Sequence, residues 1–252
     1  MIRFEARGRV AIVTLDRPAR RNAVCREIAE GMERALDAFE ADPELWVGIV
    51  AAEGPAFCAG ADLAAVERGE GASLSTERGG FAGIVRRARV KPLVAAVDGP
   101  ALAGGCEVVL ACDLVVASRA ARFGLPEVKR SLVAAAGGLF RLPRALPERV
   151  ALELVLTGDS IDAERAERLG LVNRLVEPGE ALAGALALAG AIAANAPIAV
   201  QESLRIARRA SEPDEVLWRE SRDAFVRVLG TEDAREGPRA FLEKRAPAWR
   251  NR

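Results

Sequence analysis

Two short β-branched runs, Val10–Leu15 (VAIVTL) and 47–51 (VGIVA), flank a segment with apolar residues at helical spacing: Ile28, Met32, Ala35, Leu36 and Phe39. This is a strand, helix, strand unit. The runs 93–97 (LVAAV) and 114–117 (LVVA) repeat the strand signal around a helical stretch over 105–112. Such alternation predicts an α/β fold, with a mostly parallel sheet joined by crossover helices. Beyond Pro143 the pattern turns helical, over 148–156, 163–168, 181–194, 198–209, 215–229 and 231–245, broken only by a strand-like run at 171–176. Asn195, Ala196 and Pro197 interrupt the helical series, which places an α/β core over residues 1–195 and a helical module over 196–252. The stretch 68–80, rich in Gly, Ser and Glu, reads as a mobile surface loop.

Composition removes whole classes of chemistry. The chain of 252 residues has no histidine and no tyrosine, so Ser-His-Asp and Cys-His hydrolases, histidine-ligated zinc and a histidine base are all excluded. Acid-base work must rest on carboxylates, on Lys91, Lys129 and Lys244, or on thiols. Cys25, Cys58, Cys106 and Cys112 form no CxxC pair and read as free thiols in a reducing compartment. A reactive thiol at Cys58 or Cys106, inside glycine-rich turns, is the other reading, but no histidine is present to activate it. The 36 basic residues are balanced by 36 acidic ones, which argues against nucleic acid as a partner. The amino terminus does not read as a signal peptide, and no apolar run reaches the ~20 residues of a membrane span, so a cytoplasmic protein is expected.

Two segments carry candidate chemistry. Residues 54–63 (GPAFCAGADL) and 98–107 (DGPALAGGCE) each follow a strand, where a glycine-containing turn can point backbone N–H groups into a crevice. Side by side, two such turns can aim two amides at one oxygen, an oxyanion hole. Glu107 opens a helix continuing VVLA, and Glu127 follows Pro126 in GLPEV. Each is either a first-turn acid stabilised by a helix N-terminus or a carboxylate brought to an apolar boundary for a role. Periodicity does not decide between the two.

Taken together, GPAFCAGADL, KPLVAAVDGPALAGGCEVVLACDLVVAS, ARFGLPEVK, the ending FLEKRAPAW and the early RPARRNAV resemble the crotonase (enoyl-CoA hydratase/isomerase) superfamily over nearly the whole chain. The resemblance implies a repeated ββα core with a helical carboxy-terminal module that trimerises and covers the active site. It implies an enoyl-CoA hydratase in which the amides of Ala61 and Gly104 form the oxyanion hole and Glu107 and Glu127 do the acid-base work. Coenzyme A would be met by Arg20, Arg21, Ala23, Ala59, Asp62, Leu63 and Ala64, and by Phe241 and Lys244, often from a neighbouring subunit. No metal and no cofactor beyond the substrate's own coenzyme A is expected, and the assembly would be a homotrimer or a hexamer. An isomerase, another crotonase-type lyase or dehydratase, and a non-catalytic acyl-CoA binder are the alternatives; keeping both glutamates favours hydration. Asp98 stands where the family often has asparagine, and Ala103 replaces the first glycine of a frequent GGG, which bears on the turn that presents Gly104.

Overall fold

In the computed structural model, which describes residues 1–252, the β-branched runs lie side by side in one sheet. The first half of the chain runs β1 (Ile2–Arg7), β2 (Val10–Leu15), α1 (Arg26–Ala41), β3 (Val47–Ala52) and α2 (Leu63–Glu67), then β4 (Ser75–Thr76), β5 (Gly80–Phe81), β6 (Leu93–Val97), β7 (Ala101–Leu102), α3 (Gly104–Ala111), β8 (Leu114–Ser118) and β9 (Arg122–Gly124). The second runs α4 (Gly138–Ala145), α5 (Glu148–Thr157), β10 (Ser160–Asp162), α6 (Ala163–Arg168), β11 (Arg174–Val176), α7 (Ala181–Ala193), α8 (Pro197–Ala207), α9 (Asp214–Leu229) and α10 (Asp233–Leu242).

The main sheet has the order β1-β2-β3-β6-β8-β11, and every pairing in it is parallel except β1 with β2. This is the mostly parallel α/β architecture that the strand and helix alternation predicts. A second sheet, β10-β9-β7, braces the turn that follows β6.

The two faces of the main sheet are covered unequally. On one side α1 buries Ile28, Ala29, Met32, Ala35, Leu36 and Phe39 in a core cluster of 42 residues, which also takes in Phe57, Cys58, Ala101 and Cys106 from the turns described below. Burying a large apolar side chain is worth roughly 1.5–3 kcal/mol, so this stripe holds α1 and, through the shared core, the turns. On the other side α7 lays Ala181, Ala185 and Ala189 against Val47, Ile49, Val94 and Val116 in a cluster of only 12. The Asp98 carboxylate accepts from the amides of Gly179 and Ala181 at the start of α7. An acid at a helix N-terminus is electrostatically favourable, which gives the departure from asparagine a structural use.

Three features differ from the sequence reading. The stretch 68–80 is not a free loop: Leu74 is buried, and β4 and β5 form a small hairpin tied to α1. Glu33 makes the tie, accepting from the Thr76 hydroxyl at 2.6 Å and the Gly79 amide at 2.8 Å. The strand-like run 171–176 shortens to β11, and a helix, α4, forms around Pro143. Near the proposed boundary, α7 and α8 meet at a bend of 106°. No single helix is long and apolar enough to cross a membrane. Helix α8 is fastened to the core where Arg208 and Arg89 converge on the Asp113 carboxylate.

Candidate active site

The turns after β3 and β6 are laced together through their backbones. Cys58 donates its amide to the Pro100 carbonyl at 3.2 Å, and Leu102 returns one to the Cys58 carbonyl at 3.0 Å. A side chain at Gly105 would collide with the Cys58 carbonyl and one at Gly99 with the Pro55 carbonyl, so both positions need glycine for close approach. The first turn is also stitched to the segment before α1: Val24 donates to the Gly60 carbonyl and its own carbonyl accepts from Asp62. In a parallel bridge of this kind the intervening residue faces the other way. The Ala61 amide thereby faces away from Val24, and Ala61 lines the cleft described next.

Gly104 is the first residue of α3, and such an N–H has no partner inside its helix. A Cβ at Gly60 would sit 3.0 Å from the Gly104 nitrogen, so the two free amides belong to abutting turns. Ala103, just before Gly104, has φ 52° and ψ −130° and donates its amide to the Gly124 carbonyl. Alanine here adopts a backbone conformation suited to glycine, at an expected cost on the order of 1–3 kcal/mol. The replaced glycine is accommodated as local strain.

The turns open on a cleft of about 1070 Å³. Its walls include Phe81 and Val85 from the hairpin and the segment after it, Glu127 and Arg130 from a 3₁₀ turn (Pro126–Arg130), and Leu132, Val133, Phe140 and Arg141 around the start of α4. Glu107, in the first turn of α3, is 3% exposed, and its Oε1 accepts from the Gly138 amide at 2.9 Å. Burial pushes its carboxyl up to about 7; the Gly138 amide opposes this, the Glu127 charge adds to it, and the Arg141 guanidinium opposes it. Burial raises Glu127 as well, and its Oε2 is buried with no hydrogen-bond partner. The thiols of Cys58 and Cys106 are buried, and burial holds both up at about 12, which leaves the reactive-thiol reading without a thiolate.

The residues singled out in the sequence divide into two groups. Arg21, Ala59, Ala61, Leu63, Gly104, Glu107 and Glu127 all line this cleft. Arg20, Ala23, Asp62, Ala64, Phe241 and Lys244 are not among its lining residues. Asp62 has another use in this chain: it pairs with Arg17 at 2.8 Å and caps α2 by accepting from Ala64, and its carboxyl is held low, first by the Arg17 hydrogen bond. Arg17 also donates to the Ala23 carbonyl. Arg20 is exposed, and Phe241, 82% exposed, and Lys244 lie at the end of α10. Sequence reasoning passed over Arg141 and the Gly138 amide; a Gly-Gly pair three residues before a helical arginine was the available signal.

Residues 5–252 match the enoyl-CoA hydratase/isomerase family. The chain is 42% identical to the enoyl-CoA hydratase EchA19 of Mycobacterium tuberculosis, covering 98% of this chain and 96% of that protein. It is 40% identical to the mevalonyl-coenzyme A hydratase sidH of Aspergillus fumigatus, covering 96% and 91% respectively. A crystal structure of an enoyl-CoA hydratase from Mycobacterium tuberculosis superposes with a TM-score of 0.95 at 47% identity, over 100% of this chain and 99% of that one.

Proposed function

From the premise that the chain belongs to the enoyl-CoA hydratase/isomerase family, we propose that it adds water across the 2,3 double bond of an enoyl-CoA thioester. The observation that carries this reading is one buried and one half-buried carboxyl, both raised by burial, sharing one cleft with the ends of two abutting turns. The amides of Ala61 and Gly104 receive the thioester oxygen and stabilise its enolate form; one such donor is typically worth about 3 kcal/mol in the transition state.

Glu107, whose ionised form is supported by the Gly138 amide, takes a proton from water as the oxygen bonds to the β carbon. Glu127, whose unpartnered Oε2 favours the neutral acid, gives its proton to the α carbon. The product is the 3-hydroxyacyl thioester, and the two carboxyls share one proton throughout. The chemistry uses no cofactor apart from the coenzyme A of the substrate. The test is the conjugated-thioester absorbance of crotonyl-CoA with and without protein. Bleaching supports hydration; unchanged absorbance with binding retained counts against hydration of this thioester and leaves an isomerase, another crotonase-type lyase or dehydratase, or an acyl-CoA binder.

Arg21, Ala59 and Leu63 at the cleft would meet coenzyme A, with Arg20, Ala23, Asp62 and Ala64 flanking them. Phe241 and Lys244 would complete the site from a neighbouring subunit in a trimer or hexamer, with residues 196–252 as the assembling module. Exposed Trp218, Phe225, Leu229 and Leu242 on α9 and α10 support such an assembly. A monomer by light scattering at about micromolar concentration would overturn it.

A further inference from the structure

Arg141 occupies an unusual place on the cleft wall. It is half-buried and forms no ion pair, and its guanidinium spends its hydrogen bonds on main-chain carbonyls instead. Nη2 donates to the Val85 carbonyl at 2.6 Å, reaching 56 residues back to the segment that follows the β4–β5 hairpin. Nη1 donates to the Ala136 carbonyl at 3.3 Å, immediately before the Gly137–Gly138 pair. Gly137 has φ +108°, and a side chain there would collide with Nη1, so the guanidinium packs directly on this turn. From the same turn the Gly138 amide reaches Glu107. A guanidinium holds the two carbonyls from two separate nitrogens in one fixed plane, a geometry that a single ammonium nitrogen does not reproduce.

Resting on the hydratase reading for its consequences in turnover, we propose that Arg141 is a positioning residue for Glu107. Its fork ties the Val85 and Ala136 carbonyls together, which fixes the Gly138 amide against the Glu107 carboxylate and sets a cation near that carboxylate. The charged or titratable groups around Glu107 are Glu127 on the 3₁₀ turn, Arg141 on α4 and the Cys106 thiol beside it on α3, with Arg21, Arg86 and Arg130 elsewhere on the cleft wall. Burial and Glu127 disfavour the ionised carboxylate; the Gly138 amide, the Ala136 amide and Arg141 favour it. Removing Arg141 therefore takes away the cation and loosens the turn that carries both amides.

The experiment compares the wild type with Arg141→Gln and Arg141→Lys by two readouts. The first, independent of activity, is an infrared titration of the free protein in which the carboxyl band absent from Glu107→Gln is assigned to Glu107. The second is kcat and KM for crotonyl-CoA across pH, with thermal unfolding as a check on folding. In Arg141→Gln the Glu107 midpoint rises, the ascending limb of the rate profile moves up with it, and kcat near neutrality falls about fivefold, as an upward shift of one unit from about 7 implies. KM stays within about threefold, as expected for an interaction made in the transition state. Arg141→Lys keeps the charge and loses the fork, so it restores part of the midpoint and little of kcat.

A wild-type Glu107 midpoint in either variant overturns the assignment, as does a kcat loss fully matched by loss of folded protein. If Arg141→Gln fails to fold, the lysine variant carries the same midpoint comparison. A wild type that bleaches no enoyl-CoA sinks the hydratase reading instead, and the infrared titration still decides the role of Arg141.

Discussion

The paired turns at the cleft and the carboxy-terminal helices show two ways of finishing a structure. In the turns the backbone of each segment bonds to the other and to its neighbours, and glycines at 99 and 105 allow main chain to rest on main chain. In α9 and α10 the buried residues are few, Ala224, Asp233, Glu236 and Ala240, while Trp218 is 73% exposed and Phe225, Leu229, Phe241 and Leu242 are uncovered. Asp233 and Glu236 are spent on the final residues, accepting from the amides of Arg250, Asn251 and Ala248. The turns are held together within one chain, whereas α9 and α10 leave large apolar side chains exposed. Chemistry that depends on tenths of an ångström belongs in the first kind of region.

The largest effect that would sharpen this contrast is on rate. Glu107→Gln and Glu127→Gln should each lower kcat by about 10² to 10⁴-fold, with melting temperatures at or above that of the wild type. Steady-state assays beside thermal scans check both halves, and a variant within a factor of about two of wild-type kcat would remove that carboxyl from the mechanism. Next in size is Gly105→Ala, whose methyl group must displace the Cys58 carbonyl. Backbone cannot yield there as a flexible side chain would, so the loss should reach at least about 3 kcal/mol in denaturant unfolding. A loss under about 1 kcal/mol would mean that the turns are not held as closely as described.

Glu107 also makes the site costly in a way that pH exposes. Its folded carboxyl is raised to about 7 from the ordinary 4.5, so between those values the native state binds more protons than the unfolded chain. Stability contributed by this group is thus greatest at low pH and falls as pH rises through that window, by about 3 kcal/mol in all. Glu107→Gln should gain on the wild type as pH is taken from about 5 to about 8, measured by urea unfolding. A constant difference across that range would show that the carboxyl is not raised.

The alternation of strands and helices was legible because each run is long enough to show its period: 93–97 and 163–168 appear in the structure with the same bounds. Strands of two or three residues, such as β7, β9 and β10, are too short to show one, and Pro143 concealed α4. The 68–80 stretch looked free because its anchor, Glu33, lies 43 and 46 residues away from the groups it binds. Glu107 and Glu127 could be singled out as candidates from their local setting, while the acid-base role came from the family resemblance alone. The tie from Arg141 to Val85 could not, since nothing near either residue in sequence records the other.

Smaller still is the effect expected at Ala103, where φ 52° strains an L-residue that glycine would relieve. Ala103→Gly frees the folded backbone but also widens the unfolded ensemble by about 0.4–1 kcal/mol, so the net gain should be no more than about 1 kcal/mol. A clear loss would indicate that the methyl packing at this position outweighs the strain.

The smallest change is expected in the other region. Phe225→Ser removes an exposed ring from α9, and unfolding of the isolated chain should change by no more than about 0.5 kcal/mol. If α9 presents its apolar face to a second copy, the same substitution lowers the mass seen by light scattering while leaving that chain's fold intact. A large loss of single-chain stability would instead mean that Phe225 serves an internal core, and the contrast between turns held within one chain and an open helical surface would fail at that point.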